Sequence, residues 1–202
     1  MESCTIDGID ITGVRVSLYP MKDAFADQIL NSVKKTNTTA VWSQTDLFST
    51  LYRGEAESVV DAAAGLFINA YEPTTHLVGE FTFSKGCPGD IAGDSYLTGE
   101  KRQPNQTQIK AQGDFPIHCK YSFYTFGKES YMEEIAQIVT LADEMGLQPQ
   151  SAHYSTFLTG SATQLFAYFE KALAYAHAHL NHYVIEATVS VNSPSLGGST
   201  DV

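Results

Sequence analysis

Along the first eighty residues the spacing of apolar positions changes several times, and each change predicts an element. Val14, Val16 and Leu18 alternate with Arg15, Ser17 and Tyr19, the period-two signature of a strand with one buried face. Pro20 ends that strand. Asp23 then offers an N-cap, and Phe25, Ile29 and Val33 recur every fourth residue, predicting an amphipathic helix to about Lys35. Val41-Trp42 and Ser49 to Arg53 read as a hairpin that turns near Asp46 and is closed by the turn glycine Gly54. Val59, Val60, Ala63, Leu66 and Phe67 form the stripe of a second helix over 55–70, with Val78 as a core position of the strand from His76 to Ser84 that completes the unit.

The second half repeats this order. A strand is predicted over 117–125, then a helix over 129–145 stopped by Gly146. A hairpin over 148–159 follows, with Gly160 as its turn residue, then a helix over 162–180 capped by Ser161 and a strand over 182–191 containing the core position Val184. The similarity extends to single residues. The window from His76 to Pro88 shares His, Val, Glu, Thr, Ser and Pro with the window from His182 to Pro194, 106 residues later; unrelated windows of this length share about one identity. Ser49-Thr50 and Gly54 match Ser155-Thr156 and Gly160 at the same offset, and Ser17 and Tyr19 match Ser122 and Tyr124 one residue out of step. Three blocks in one order indicate a duplication. The expected fold is therefore α+β, a tandem repeat of two ferredoxin-like βαββαβ modules with antiparallel sheets. The first module is assigned to 1–92, a connecting loop to 93–116 and the second module to 117–202. The connection, with its Gly-rich run at 86–94 and polar stretch at 98–113, is long enough to be a crossover or functional. The tail from Ser193 is expected to fray.

In each module both helices cover one face of the sheet, so the other face is bare. Alternation puts Ser17 and Tyr19 on that face, together with His76, Glu80, Thr82 and Ser84 of the last strand. Their counterparts are Ser122, Tyr124, His182, Glu186 and Ser190. Such a polar set with one aromatic suits a small heterocycle held by stacking and a few hydrogen bonds. It suits equally an interface with a partner sheet, in which the polar groups satisfy one another.

The rest of the composition narrows the classes. A net charge of −11 repels nucleic-acid phosphates and anionic lipid, so neither partner is expected. The three cysteines, Cys4, Cys87 and Cys119, are odd in number and form no C-x-x-C. They predict reduced thiols in the cytoplasm, with no disulfide framework or zinc site. No leader or membrane-spanning run is read at the N-terminus or elsewhere. A triad of Ser49, His76 and Asp46 can be written, but no nucleophile elbow accompanies it. His177, His179 and His182 do not share a helix face, and Asp90 with Asp94 completes no calcium loop. Neither a catalytic nor a metal site is predicted.

Ser17-Leu-Tyr-Pro-Met21, Lys34-Lys-Thr36, Thr45-Asp46, Ser49-Thr50, Arg53-Gly54, Phe83-Ser84, Cys87-Pro-Gly-Asp90, Gly93-Asp94, Tyr131-Met132, His153-Tyr154 and Asn192-Ser-Pro-Ser195 together resemble the YkoF-like thiamine/hydroxymethylpyrimidine (HMP)-binding proteins over nearly the whole chain. The resemblance implies a non-enzymatic homodimer with no cofactor. It implies one pocket per repeat for thiamine or HMP, and a link to a thiamine-precursor transporter in uptake or salvage. The expected ligand-binding residues are Ser17, Tyr19, Asp46, Ser49, Thr50, His76 and Ser84 in the first repeat. In the second they are Ser122, Tyr124, His153, Ser155, Thr156, His182 and Ser190. Asp46 is read as able to pair with the ligand's amino group or cation. Glu80 and Glu186 are shared by the repeats but lie outside the family pattern. The alternative is a regulatory or assembly module; an enzyme of thiamine metabolism lacks a nucleophile or metal set. Because Ala152 and His153 replace Asp46 and Leu47, the two pockets are expected to be unequal.

Overall fold

The computed structural model describes residues 11–85 and 103–197. Cys4, Cys87, Asp90, Asp94 and the tail beyond 197 lie outside the described residues. The first module runs β1 (Thr12–Pro20), α1 (Phe25–Lys35), β2 (Trp42–Thr45), β3 (Thr50–Gly54), α2 (Ala56–Ala70) and β4 (Leu77–Lys85). The second runs β5 (Pro116–Thr125), α4 (Tyr131–Glu144), β6 (Gln150–Ala152), β7 (Ser155–Ser161), α5 (Ala162–His179) and β8 (Tyr183–Val191). Between them the segment expected as loop contains a helix, α3 (Gln106–Gln112). Both modules are ferredoxin-like, but their sheets are not separate. The strand order is β2-β3-β1-β4-β8-β5-β7-β6, one eight-stranded antiparallel sheet.

The seam is the pairing of β4 with β8, which runs in register from Leu77 against Val191 to Lys85 against Tyr183. Its midpoint is Phe81 opposite Ala187. These two residues occupy equivalent positions in the repeat, so the pseudo-two-fold axis of the duplication passes through this pair. In a lone ferredoxin-like unit β4 and β8 would each be a bare edge, open to pairing with other chains. Here each covers the other.

Among the described residues the helices lie on one face, and one hydrophobic core runs beneath both modules. Phe67 of α2, Phe166 of α5 and Phe81 on the axis form a triangle with ring centroids 5.7–6.0 Å apart. Each such pair adds about 0.5–1.5 kcal/mol beyond its burial. Phe67 can sit on the sheet because Gly79 lies beneath it; a Cβ there would stand 2.8 Å from two Phe67 ring atoms. The connection is tied to this layer by Asn105. Its backbone N–H and Nδ2 donate to the buried Asp61 carboxylate at 3.1 and 2.8 Å, and its Oδ1 accepts from the Asn37 amide at 2.8 Å. Burial pushes the Asp61 carboxyl above its ordinary range.

Several local expectations are corrected. Ala24, not Asp23, occupies the N-cap of α1, and α1 buries Gln28 and Ser32 while Phe25 is exposed. Gln28 is turned inward because its Nε2 donates to the Ala70 carbonyl that ends α2. Val78 and Val184 are not core residues; they are half-buried on the helix-free face, where their parity puts them. Gly54 and Gly160 are strand residues without positive φ. Gly160 is needed because Leu147 would stand 2.6 Å from a Cβ.

The Gly79 packing generates a test. Gly79→Ala forces a methyl into the Phe67 and Phe81 rings and should cost about 1–3 kcal/mol, the usual range for overpacking. Urea unfolding monitored by circular dichroism measures it; an unchanged midpoint would contradict the close approach.

Candidate functional site

On the helix-free face, a concavity of about 350 Å³ is lined by Arg15, Ser17, Asp46, Phe48, Ser49, Glu80 and Thr82. Its floor is the β1–β4 pair, with Ser17 opposite Glu80 and Arg15 opposite Thr82. Its wall is the tip of the β2–β3 hairpin. The tip is built by Asp46: Oδ1 accepts from the amides of Phe48 and Ser49 at 2.8 and 2.9 Å, and the Asp46 amide donates to the Ser49 carbonyl. A side chain that caps its own turn in this way favours Asp or Asn. Oδ2 accepts from Arg15 Nη1 at 2.7 Å, and the same nitrogen donates to Ser49 Oγ at 2.8 Å. Ser17 Oγ joins wall to floor by donating to the Phe48 carbonyl at 3.0 Å. Arg15, seconded by the two turn amides, holds the Asp46 carboxyl down at about 2. At the margin, the half-exposed Tyr19 donates its hydroxyl to Glu80 at 3.1 Å.

The second module builds the same frame. Lys120 replaces Arg15, opposite Thr188, and Ser122 stands opposite Glu186. Ser122 Oγ donates to the Tyr154 carbonyl at 3.0 Å, as Ser17 does to Phe48. Ser155 matches Ser49, and its hydroxyl reaches only the His153 carbonyl, at 3.4 Å. At the turn Ala152 supplies no side-chain acceptor, and Tyr154 has φ +64° and is fully exposed. The two frames abut at the seam, where Glu80 pairs with Thr188 and Thr82 with Glu186.

These placements sort the predicted residues. Ser17, Asp46 and Ser49 share the first concavity, with Tyr19 at its edge. Ser122 and Ser155 share the second frame, His153 lies on its exposed hairpin tip, and Tyr124 is half-exposed. Asp46, read as able to pair with the ligand's amino group or cation, bonds Arg15 and the amides of its own turn. Thr50 and Thr156 are not on this face. They stand opposite Val16 and Tyr121, on the helix side, and Thr50 Oγ1 bonds Thr45 Oγ1 at 3.0 Å. His76 and Ser84 do not join Ser17: they flank opposite ends of β4, about 27 Å apart at the usual strand rise. His76 Nε2 instead contacts Ser190 of the other repeat at 3.1 Å, and His182 stacks on Phe126. His76 is therefore not beside Ser49 and Asp46, and no triad is assembled. His177 bonds Thr12 Oγ1 and His179 stacks on Tyr175, so these histidines face different partners.

Arg15, Phe48, Glu80 and Thr82 were missing from the predicted set, as were Lys120, Tyr154, Glu186 and Thr188. The repeat carries a signal for Glu80/Glu186 and Thr82/Thr188, which coincide in the two copies. The two cations show only as an Arg-to-Lys change on the first strand of each module.

The fold and this face define a tandem ferredoxin-like protein in which one polar concavity is framed twice across a single sheet. The model of the YKOF-related family matches residues 11–90 and 116–196, once per module, and the chain belongs to this family. It is 37% identical over 186 residues, covering 92% of both chains, to a Bacillus subtilis (strain 168) protein named "Putative HMP/thiamine-binding protein YkoF". Among the described residues no helix is long and apolar enough to cross a membrane.

The Arg15–Asp46 contact yields a direct test. Replacing Arg15 by Met removes the largest cause of the depressed Asp46 pKa, so its carboxyl should titrate nearer the ordinary value of about 3.9. Carboxyl-carbon NMR reads both proteins; a midpoint that stays at about 2 would leave the turn amides as the cause.

Proposed function

We propose that the protein binds thiamine or its HMP precursor without transforming it, one molecule in each repeat. The carrying observation is the twice-built frame of Ser, Ser, Glu and Thr on the open sheet face, in the same register in both modules. Its hydroxyls and carboxylate complement an aminopyrimidine, whose ring nitrogens accept and whose amino group donates. The first concavity is of the size that small-ligand sites occupy. The relative's name supports the same ligand class. In this reading the protein is a homodimer in the cytoplasm, serving uptake or salvage beside a thiamine-precursor transporter.

A second reading, an assembly module, draws on the hairpin tips. Leu47, Phe48 and Tyr154 are 89%, 79% and 100% exposed, a costly display of apolar surface on one chain.

A thermal-shift series separates the readings. HMP, thiamine or a thiamine phosphate at about a hundred times its dissociation constant should stabilise the fold by roughly 2.7 kcal/mol. Mass analysis of the recovered ligand should return it unchanged. No shift with any of these compounds defeats the binding reading, and a converted ligand defeats its non-enzymatic part.

A further inference from the structure

The two frames match in strand register but differ in charge. In the first, one cation, Arg15, faces two carboxylates, Asp46 and Glu80. Arg15 is neutralised at 2.7 Å by Asp46, which leaves the Glu80 charge uncompensated on the floor. In the second, Ala152 stands where Asp46 would be. Lys120 forms no ion pair among the described residues, so the second frame sets one cation against one carboxylate, Glu186, and carries no net charge. The register makes the comparison position by position: Lys120 lies beside Phe157 and Thr188 as Arg15 lies beside Leu51 and Thr82.

Resting on the binding reading above, we infer that the pockets divide ligands by charge. The first repeat favours the form with a fixed positive charge, the thiazolium-bearing thiamine. The second repeat lacks that preference and takes the uncharged pyrimidine comparatively better. The discriminating position is 46, with its equivalent 152. Asp46 acts there through Arg15, not by touching the ligand: it cancels the one positive charge that would oppose a cation. The rest of the frame, Ser17/Ser122, Ser49/Ser155 and Thr82/Thr188, is shared and sets no preference between the repeats.

Amide NMR titration of the full-length protein with thiamine and, separately, with HMP tests this. The amides of Ser17, Phe48 and Ser49 report the first pocket, and those of Ser122, Tyr154 and Ser155 the second. An exposed charge of this kind is worth about a two- to fivefold effect at low ionic strength. The thiamine-to-HMP affinity ratio should therefore be about two- to fivefold higher in the first pocket, and the difference should shrink in ~1 M salt as screening shortens to about 3 Å. Asp46→Asn, which keeps an acceptor for the turn amides, should lower the ratio in the first pocket to that of the second. Ala152→Asp should raise it in the second, and Ala152→Asn should not. Equal ratios in the wild-type pockets, or ratios indifferent to Asp46→Asn and Ala152→Asp, would overturn the inference while leaving binding intact. No response to either ligand would overturn the binding reading and the inference with it.

Discussion

The pairing of β4 with β8 is the constraint on which the rest of this structure depends. It converts two small sheets, each with a vulnerable edge, into one sheet whose innermost strands are saturated on both sides. It also fixes the relation of the two sites. Because the register centres on Phe81 and Ala187, Glu80 and Glu186 fall on either side of the axis and the two frames lie back to back. On the helix side the same axis gathers Phe67, Phe81 and Phe166 into a shared core. Neither module keeps a core of its own, so a change at the seam is felt by both sites.

Within that frame, the hairpin tips are where the copies diverge, and the cause is local turn chemistry. Asp46 supplies a turn acceptor and an anion for Arg15 with one side chain. Ala152 supplies neither, and the second tip instead carries Tyr154 in the left-handed region, which L side chains seldom adopt. One substitution thus alters both how the wall is built and what charge the floor presents. The floor is held constant by hydrogen bonding that does not depend on the tip sequence: Ser17 and Ser122 donate to main-chain carbonyls, which any residue provides.

The sequence made the elements and their faces legible because alternation along β1, β4, β5 and β8 is strict. The burial of Val14, Val16 and Leu18 against the openness of Arg15 and Tyr19 follows directly. The seam was not legible, since pairing between repeats leaves no trace in local periodicity. The site was legible only as a face. Period two places His76, Glu80 and Ser84 on one side without saying that the first and last are separated by the whole strand. A one-residue choice of hairpin register likewise exchanges Ser49 with Thr50 and Ser155 with Thr156. Glu80 and Glu186 were visible as repeated residues, but their place on the pocket floor came from the register of β1 with β4 and of β5 with β8. Burial of Gln28 in α1 was hidden because its partner is a backbone carbonyl forty-two residues away.

In the binding reading, ligand sits on the helix-free face, once in each frame. A crystal structure of the protein soaked with HMP tests it most directly. One pyrimidine is expected against Ser17, Ser49 and Glu80 and another against Ser122, Ser155 and Glu186. A pyrimidine lodged instead in the helix layer between α2 and α5, with both sheet sites empty, would contradict it.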